Sequence, residues 1–229
     1  MWAVVKGQRD AGLGYRPGNV EGRRSTSRDR GEQMAEHEVS DFPAPDLDGW
    51  LENPSIRITH SRRSAVDPEA LWTAARLVRV RDAGLLGRLV QWRIPGTPGE
   101  LSFDELFRKA PFCVLEERHG ALVSGVVGRI WTLRRDYPQL ADSEQFRTFD
   151  APGTARVLFA MWAESAGAAA GGRLNAEVRV LPLDAQGRVG IAAVRPLIAA
   201  FHHLIGADGL AAAVRRAEAE QVGSRSSGD

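Results

Sequence analysis

The sequence predicts an α+β chain, a curved antiparallel sheet followed by a long C-terminal helix, and three observations predict it. Residues 155–165 and 174–180 alternate apolar and polar side chains, the period of half-buried strands. Residues 167–172 between them are rich in glycine, as a turn requires. Beyond Pro196, Leu197, Phe201, Leu204 and Ile205 recur at helical spacing. A sheet and a helix in that order can hold a pocket between them, so the pattern points to a container and says little of its contents.

The elements follow in order. Residues 1–34 hold 7 basic and 4 acidic side chains with no apolar periodicity, which predicts a disordered basic tail. Met34 would also serve as a start, so the stretch before it need not be translated. Residues 35–53 are expected to be a linker. Ile56-Arg57-Ile58-Thr59-His60-Ser61 alternates as a first strand, and Asp67-Pro68-Glu69 opens a helix with a cap, a proline and an early carboxylate. Leu71, Ala74, Ala75 and Val78 form its buried face. Residues 77–81 are expected to be a short strand or extended piece, and Leu85, Leu86, Leu89 and Val90 repeat as a helix. Ser102-Phe103-Asp104-Glu105 fits a capping box, while residues 101–107 also alternate like a strand, so both readings stand. Residues 112–118 and 121–133 form a hairpin turning at His119-Gly120. Residues 134–152, polar and proline-bearing, are a long excursion covering one end of the sheet.

The strand over 155–165 is expected to turn its odd positions inward, with Arg156, Trp162 and Glu164 on the other face. Asp184-Ala185-Gln186-Gly187 reads as a tight turn leading to a third meander strand over 189–194. Pro196 then suits the first turn of the last helix, with a kink at Gly206 and Gly209, each costing roughly 1 kcal/mol relative to alanine. Residues 219–229 are expected to be a disordered tail.

Composition narrows the function classes. A chain of 229 residues with 43% hydrophobic and 26% charged content can bury one full core. Residues 35–229 hold 23 basic against 25 acidic side chains, which argues against a nucleic-acid partner. The single Cys113 can form no intramolecular disulfide, and no run reaches the roughly 20 apolar residues of a membrane span or forms the apolar core of a signal peptide. The expected address is cytoplasmic, without stable membrane insertion. No phosphate loop, nucleophile elbow or metal-ligand cluster is present in the sequence, so no cofactor or metal is expected and the catalytic residues are unknown.

Val127-Gly128-Arg129-Ile130-Trp131, Pro152-Gly153-Thr154-Ala155-Arg156 and Leu174-Asn175-Ala176-Glu177-Val178-Arg179-Val180, in this order of elements, resemble the START-like helix-grip superfamily, also called SRPBCC or polyketide-cyclase-like. The resemblance covers about residues 54–218. It implies a curved antiparallel sheet wrapped around a long C-terminal helix, with a cavity that in better-known branches holds lipids, sterols, polyketides or plant hormones. A few members cyclise or hydroxylate the ligand. The chain lacks the Cys and His pair of an iron–sulfur partner domain, which sets it apart from the ring-hydroxylating branch.

The candidate ligand-binding residues are Val157, Phe159 and Met161 on one strand face, Phe201 on the last helix, and three polar or aromatic neighbours. Arg129 would hold an acidic ligand group against Trp131 if their face is the cavity, and would otherwise cover the ring with its stem. His202 or His203 would serve as a general base if turned inward, and otherwise as a solvated histidine. Glu177 and Arg179 alternate with the apolar set, which places them on the outer face as an ion pair worth about 0–1 kcal/mol. His60 and His119 have no partner at ligand spacing, and Cys113 reads as a small core residue. Trp162 is an outer-face residue or part of a subunit contact, which leaves a homodimer open. Binding of a small, mostly apolar, lipid-like or polyketide-like ligand is the expected function. A cyclase or dehydratase acting on such a ligand, or a module that grips a protein partner, are the alternatives.

Overall fold

Strand β1 (Ile56–Ser64) precedes helix α1 (Pro68–Arg76), a 3-10 turn (Val80–Ala83), α2 (Gly84–Arg93) and α3 (Phe103–Phe107) in a computed structural model that describes residues 42–132, 137–167 and 171–226. The expected tail over 1–34, and the linker before residue 42, lie outside the described residues. A hairpin of β2 (Cys113–Arg118) and β3 (Ala121–Gly128), the short α4 (Ser143–Thr148), β4 (Ala155–Ser165) and β5 (Gly172–Pro182) follow. The chain ends in α5 (Ala185–Leu204), a π-helical turn (Ile205–Leu210) and α6 (Ala211–Ser226).

The five strands form one antiparallel sheet in the order β1-β5-β4-β3-β2. β4 and β5 pair without a register shift from Ala155 opposite Pro182 to Ser165 opposite Gly172. Their alternation is therefore in phase, and Val157, Phe159 and Met161 share a face with Val180, Val178 and Ala176. The β2–β3 turn needs Gly120, whose φ is 74° and whose absent Cβ leaves room for the Phe42 ring. α1 to α3 and the C-terminal helices α5 and α6 cover one face of the sheet, consistent with a helix-grip fold, while α4 lies on the other.

Local capping explains the helix starts. Asp67 accepts a hydrogen bond from the Ala70 N–H at 2.9 Å ahead of Pro68. Ser102 accepts from the Glu105 N–H at 3.1 Å while Glu105 accepts from the Ser102 N–H at 3.0 Å, a reciprocal box that decides residues 103–107 as helix. Of the extended piece over 77–81, only a single bridge from Arg79 to Ser102 forms before the 3-10 turn.

The third meander strand does not exist. Residues 189–194 lie inside α5, because Asp184 accepts from the N–H groups of Gly187 and Gly153, both at 2.7 Å, and so caps a helix where a tight turn was expected. Ile191, Val194, Ile198 and Phe201 then make one stripe at helical spacing, while Val189 is 72% exposed. Pro196 thus stands in the interior, where it lacks an N–H and its ring opposes the carbonyl four residues back. Segments 185–199 and 201–224 meet at 41°. The π turn follows at Gly206 and Gly209, and a Cβ on Gly206 would strike the His60 ring at 2.5 Å, so glycine allows the helix to approach β1. α6 continues to Ser226, past the expected end of the domain at 218. No single described helix is long and apolar enough to cross a membrane.

The cap on α5 gives a prediction. The Gly187 and Gly153 N–H groups hold the Asp184 carboxyl below its ordinary pKa of 3.8, so its stabilisation is present above that pH and lost as pH falls through the lowered value. Asp184→Asn is expected to lower Tm at neutral pH, with the difference from wild type shrinking below pH 3.8 in thermal melts followed by circular dichroism. A difference that stays constant into acid would mean the carboxylate charge contributes nothing.

Both faces of the sheet are covered, which corrects the expectation of an exposed even face on β4. Leu158 is 0% and Trp162 9% exposed, packed with Leu47, Leu51, Leu115 and Phe146. Residues 42–51 therefore belong to the domain as a strap over the convex face, where the sequence reading placed a linker. Trp50 of the strap donates its indole N–H to Glu116 at 2.8 Å, and the Arg147 guanidinium sits over its ring at 4.0 Å. The strap and α4 also cover the Trp162 ring.

Beneath the strap lies the pair expected at the surface. Arg179 and Glu177 are 2% and 3% exposed. The Arg179 Nε donates to Glu177 Oε1 at 2.6 Å, and its Nη1 donates to the Leu51 carbonyl at 3.0 Å and pairs with Asp48. Arg57 pairs with Glu177 at 2.8 Å and the Thr59 hydroxyl donates to it at 3.2 Å. Burial alone would lower the arginine's pKa, but the hydrogen bonds it donates to Glu177 and Asp48 outweigh it and keep the guanidinium charged.

Candidate functional site

Between the concave face of the sheet and the C-terminal helix is a cavity of about 290 Å³. Its floor is the in-phase set of the central strands: Val126 and Leu122 of β3, Val157, Phe159 and Met161 of β4, and Val178 of β5. Its roof is the α5 stripe of Val194, Ile198 and Phe201, continued by Ile205 and Leu210 of the π turn. Leu86 and Val90 of α2 and Phe103 and Leu106 of α3 close the side. The size stands near the lower end of the roughly 300–1,000 Å³ common for small-molecule sites.

An aromatic cluster shapes one wall. Phe159 stacks on Phe107 with centroids 5.2 Å apart, and Phe112 meets Phe107 and Phe159 edge-on at 5.1 and 5.5 Å. The Ser124 hydroxyl, one of few polar groups on the wall, donates to the Phe107 carbonyl at 2.8 Å and anchors α3 to β3. Glu177 contributes to the wall, yet its carboxylate is bonded to Arg57, Thr59 and Arg179 on the convex side. The remaining charged side chain is Arg93 at the end of α2, half-buried. It donates to the Ile130 carbonyl at 3.1 Å and lies 5.2 Å from the Tyr137 ring centroid.

The structure brings four of the sequence-named residues together on this wall: Val157, Phe159, Met161 and Phe201. It keeps three apart from it. Strand β3 stops at Gly128, so Arg129 is exposed in the turn beyond, its carbonyl accepting from the Thr132 N–H at 3.0 Å. Trp131 packs instead against α5, where its ring fills the place a Cβ on Gly190 would take. His202 is not part of the wall and meets the His60 ring in a tilted contact, with centroids 4.5 Å apart. Burial, followed by the nearby His202, lowers the His60 pKa.

The other reactive types are placed elsewhere. The Cys113 Sγ contacts the Val114 carbonyl at 3.6 Å, and burial pushes its thiol pKa up, away from a nucleophilic thiolate. His119 Nε2 lies 2.6 Å from Glu69 at the surface. Among the described residues no group of three His, Cys, Asp or Glu side chains could hold a metal ion.

The sequence reading missed Arg93 and the phenylalanines of residues 103–112. Arg93 had a signal, since it stands three residues after Val90 and seven after Leu86, in phase with the apolar stripe of α2. Phe107 and Phe112 had none, because a short helix and a connecting segment carry no period from which to read a face.

No protein-family model matches the chain, and no curated protein matches it. Among solved structures it is similar to TTHA0849 from Thermus thermophilus, at 11% identity over 72% of this chain and 99% of that one, with a TM-score of 0.28. It is also similar to Ara h 8.0201, at 15% identity over 68% and 98% of the two chains, with a TM-score of 0.21. Likenesses this distant carry no argument about ligand or activity.

Proposed function

We propose that this chain is a START-like helix-grip protein that binds a small, mostly apolar, lipid-like or polyketide-like molecule between its sheet and its C-terminal helix. One observation carries the reading: about 290 Å³ of space stands open where a packed core would be filled. Sites of this kind take most of their affinity from apolar contact and use a few polar groups to orient the ligand. Among the described residues the wall holds no carboxylate or histidine placed for general acid–base work, since the Glu177 carboxylate is engaged on the opposite face. Holding a ligand is what this wall is equipped to do. A module that grips a protein partner would need side chains in that space, and an open cavity does not favour it.

A neutral naphthylamine dye is expected to bind the native protein one to one with enhanced fluorescence. Ala176→Trp and Val157→Trp, both facing the cavity, are expected to abolish that signal while a cooperative thermal transition persists. In a filled core the added volume would instead cost about 1–3 kcal/mol or more. Absence of dye binding, with both variants strongly destabilised, would sink the proposal.

A further inference from the structure

Arg93 is a cation on a mostly apolar wall, and its charge is unmatched among the described residues. None of the ion pairs they form includes it. Its one hydrogen bond among them, from Nη2 to the Ile130 carbonyl, uses one of five N–H donors, and the Tyr137 ring stacks against the guanidinium without neutralising it. Arg179 shows what this protein does with a buried guanidinium that needs only structure: it surrounds it with Glu177, Asp48 and a carbonyl. Arg93 differs in lying half-buried on the cavity wall, with donors left over and a floor of apolar side chains beginning beside it at Ile130 and Val126.

We infer that the ligand is an amphiphile with a terminal carboxylate, of the fatty-acid type, whose anion pairs with Arg93 while its chain runs inward between Phe112, Phe159 and the α5 stripe. A carboxylate matches the planar fork of an arginine bidentately. One guanidinium balances one negative charge, which fits a carboxylate better than a phosphate monoester with nearly two. The Tyr137 ring holds the guanidinium in place, the geometry the sequence reading had assigned to Arg129 and Trp131. The inference rests on the binding function proposed above and adds the class of ligand.

Calorimetric titration of dodecanoate and dodecanol, equal in chain and different in charge, separates the two ideas. Wild type is expected to bind dodecanoate about tenfold or more tightly than dodecanol, the difference expected of a charge-assisted pair. Arg93→Gln, which keeps a donor for the Ile130 carbonyl, is expected to remove that preference by weakening dodecanoate while dodecanol is unchanged. Arg93→Lys is expected to retain part of it. Equal affinity of wild type for both molecules overturns the carboxylate inference and leaves the apolar binding function standing, as does equal weakening of both in Arg93→Gln, which would make Arg93 a brace for the cavity wall. Binding of neither molecule by wild type overturns both. The wild-type comparison decides the inference even if Arg93→Gln proves too unstable to titrate.

Discussion

Glu177→Ala is expected to cost about 3–5 kcal/mol of folding stability, because it strips a 2% exposed arginine of its principal partner. Glu177 is the hub of the convex-face network: Arg57, Thr59 and Arg179 all converge on its two oxygens. Without it, Arg179 keeps Asp48 and the Leu51 carbonyl, and Asp48 is 70% exposed, so its charge is largely screened by water. Replacing both members, Glu177→Leu with Arg179→Met, is expected to recover much of the loss, since a buried ion pair exchanged for apolar side chains of similar volume is often neutral or better. Urea denaturation of the two variants at neutral pH measures both. A loss below about 1 kcal/mol for Glu177→Ala is the value of a surface pair, and would mean that the strap over 42–51 does not seal this face in solution.

The second large effect reverses what alternation in the sequence implies. Leu158 sits at an even position, with Arg156 and Glu164, yet it is fully buried against Leu47, Leu51 and Phe146. Leu158→Ala is expected to cost about 2–5 kcal/mol, within the range for leucine deletions that leave a cavity. Phe159 has the larger side chain, but its ring borders space that is already open, so truncation extends an existing void without creating a new one in close-packed surroundings. Phe159→Ala is therefore expected to cost less than Leu158→Ala in the same denaturation experiment, while changing dye affinity more. The opposite order in stability, with Leu158→Ala nearly silent, would show that the convex face is open to water.

These two positions show how far the sequence could be read. The alternation of β4 and β5 and the glycine turn between them are local facts, and local sterics decide them: side chains of a strand point to opposite faces in turn, whatever lies above them. The cavity floor of Val157, Phe159 and Met161 followed from that alternation alone. The cap at Asp67 was legible for the same reason, since it is completed within three residues, whereas the box at Ser102 competed with an alternation that a strand also satisfies. The start of α5 was not legible, although it is just as short in range. Asp184-Ala185-Gln186-Gly187 satisfies both a turn and a helix cap, and residues 189–194 carry apolar side chains compatible with either period. The choice went to the helix because its stripe continues through Ile198 and Phe201 on to the sheet, and Pro196, expected at a helix start, stands inside α5.

What the sequence by itself determined is the antiparallel run from β1 to β5 in outline, the inward face of β4 and β5, the start of α1 and the apolar lining of a container. Tertiary structure alone decided which polar residues are buried, for burial depends on what lies over a face and not on the face itself. Residues 42–51 cross the convex side of β4 and β5 from more than a hundred positions away in the chain, turning Arg179 and Glu177 from a surface pair into an enclosed one. By the same logic, the early end of β3 removed Arg129 and Trp131 from the cavity, and the end of α2 set Arg93 beside Tyr137 in their place. Periodicity is a property of neighbours in sequence; a site for a charged group is made by neighbours in space, and only the folded chain brings those together.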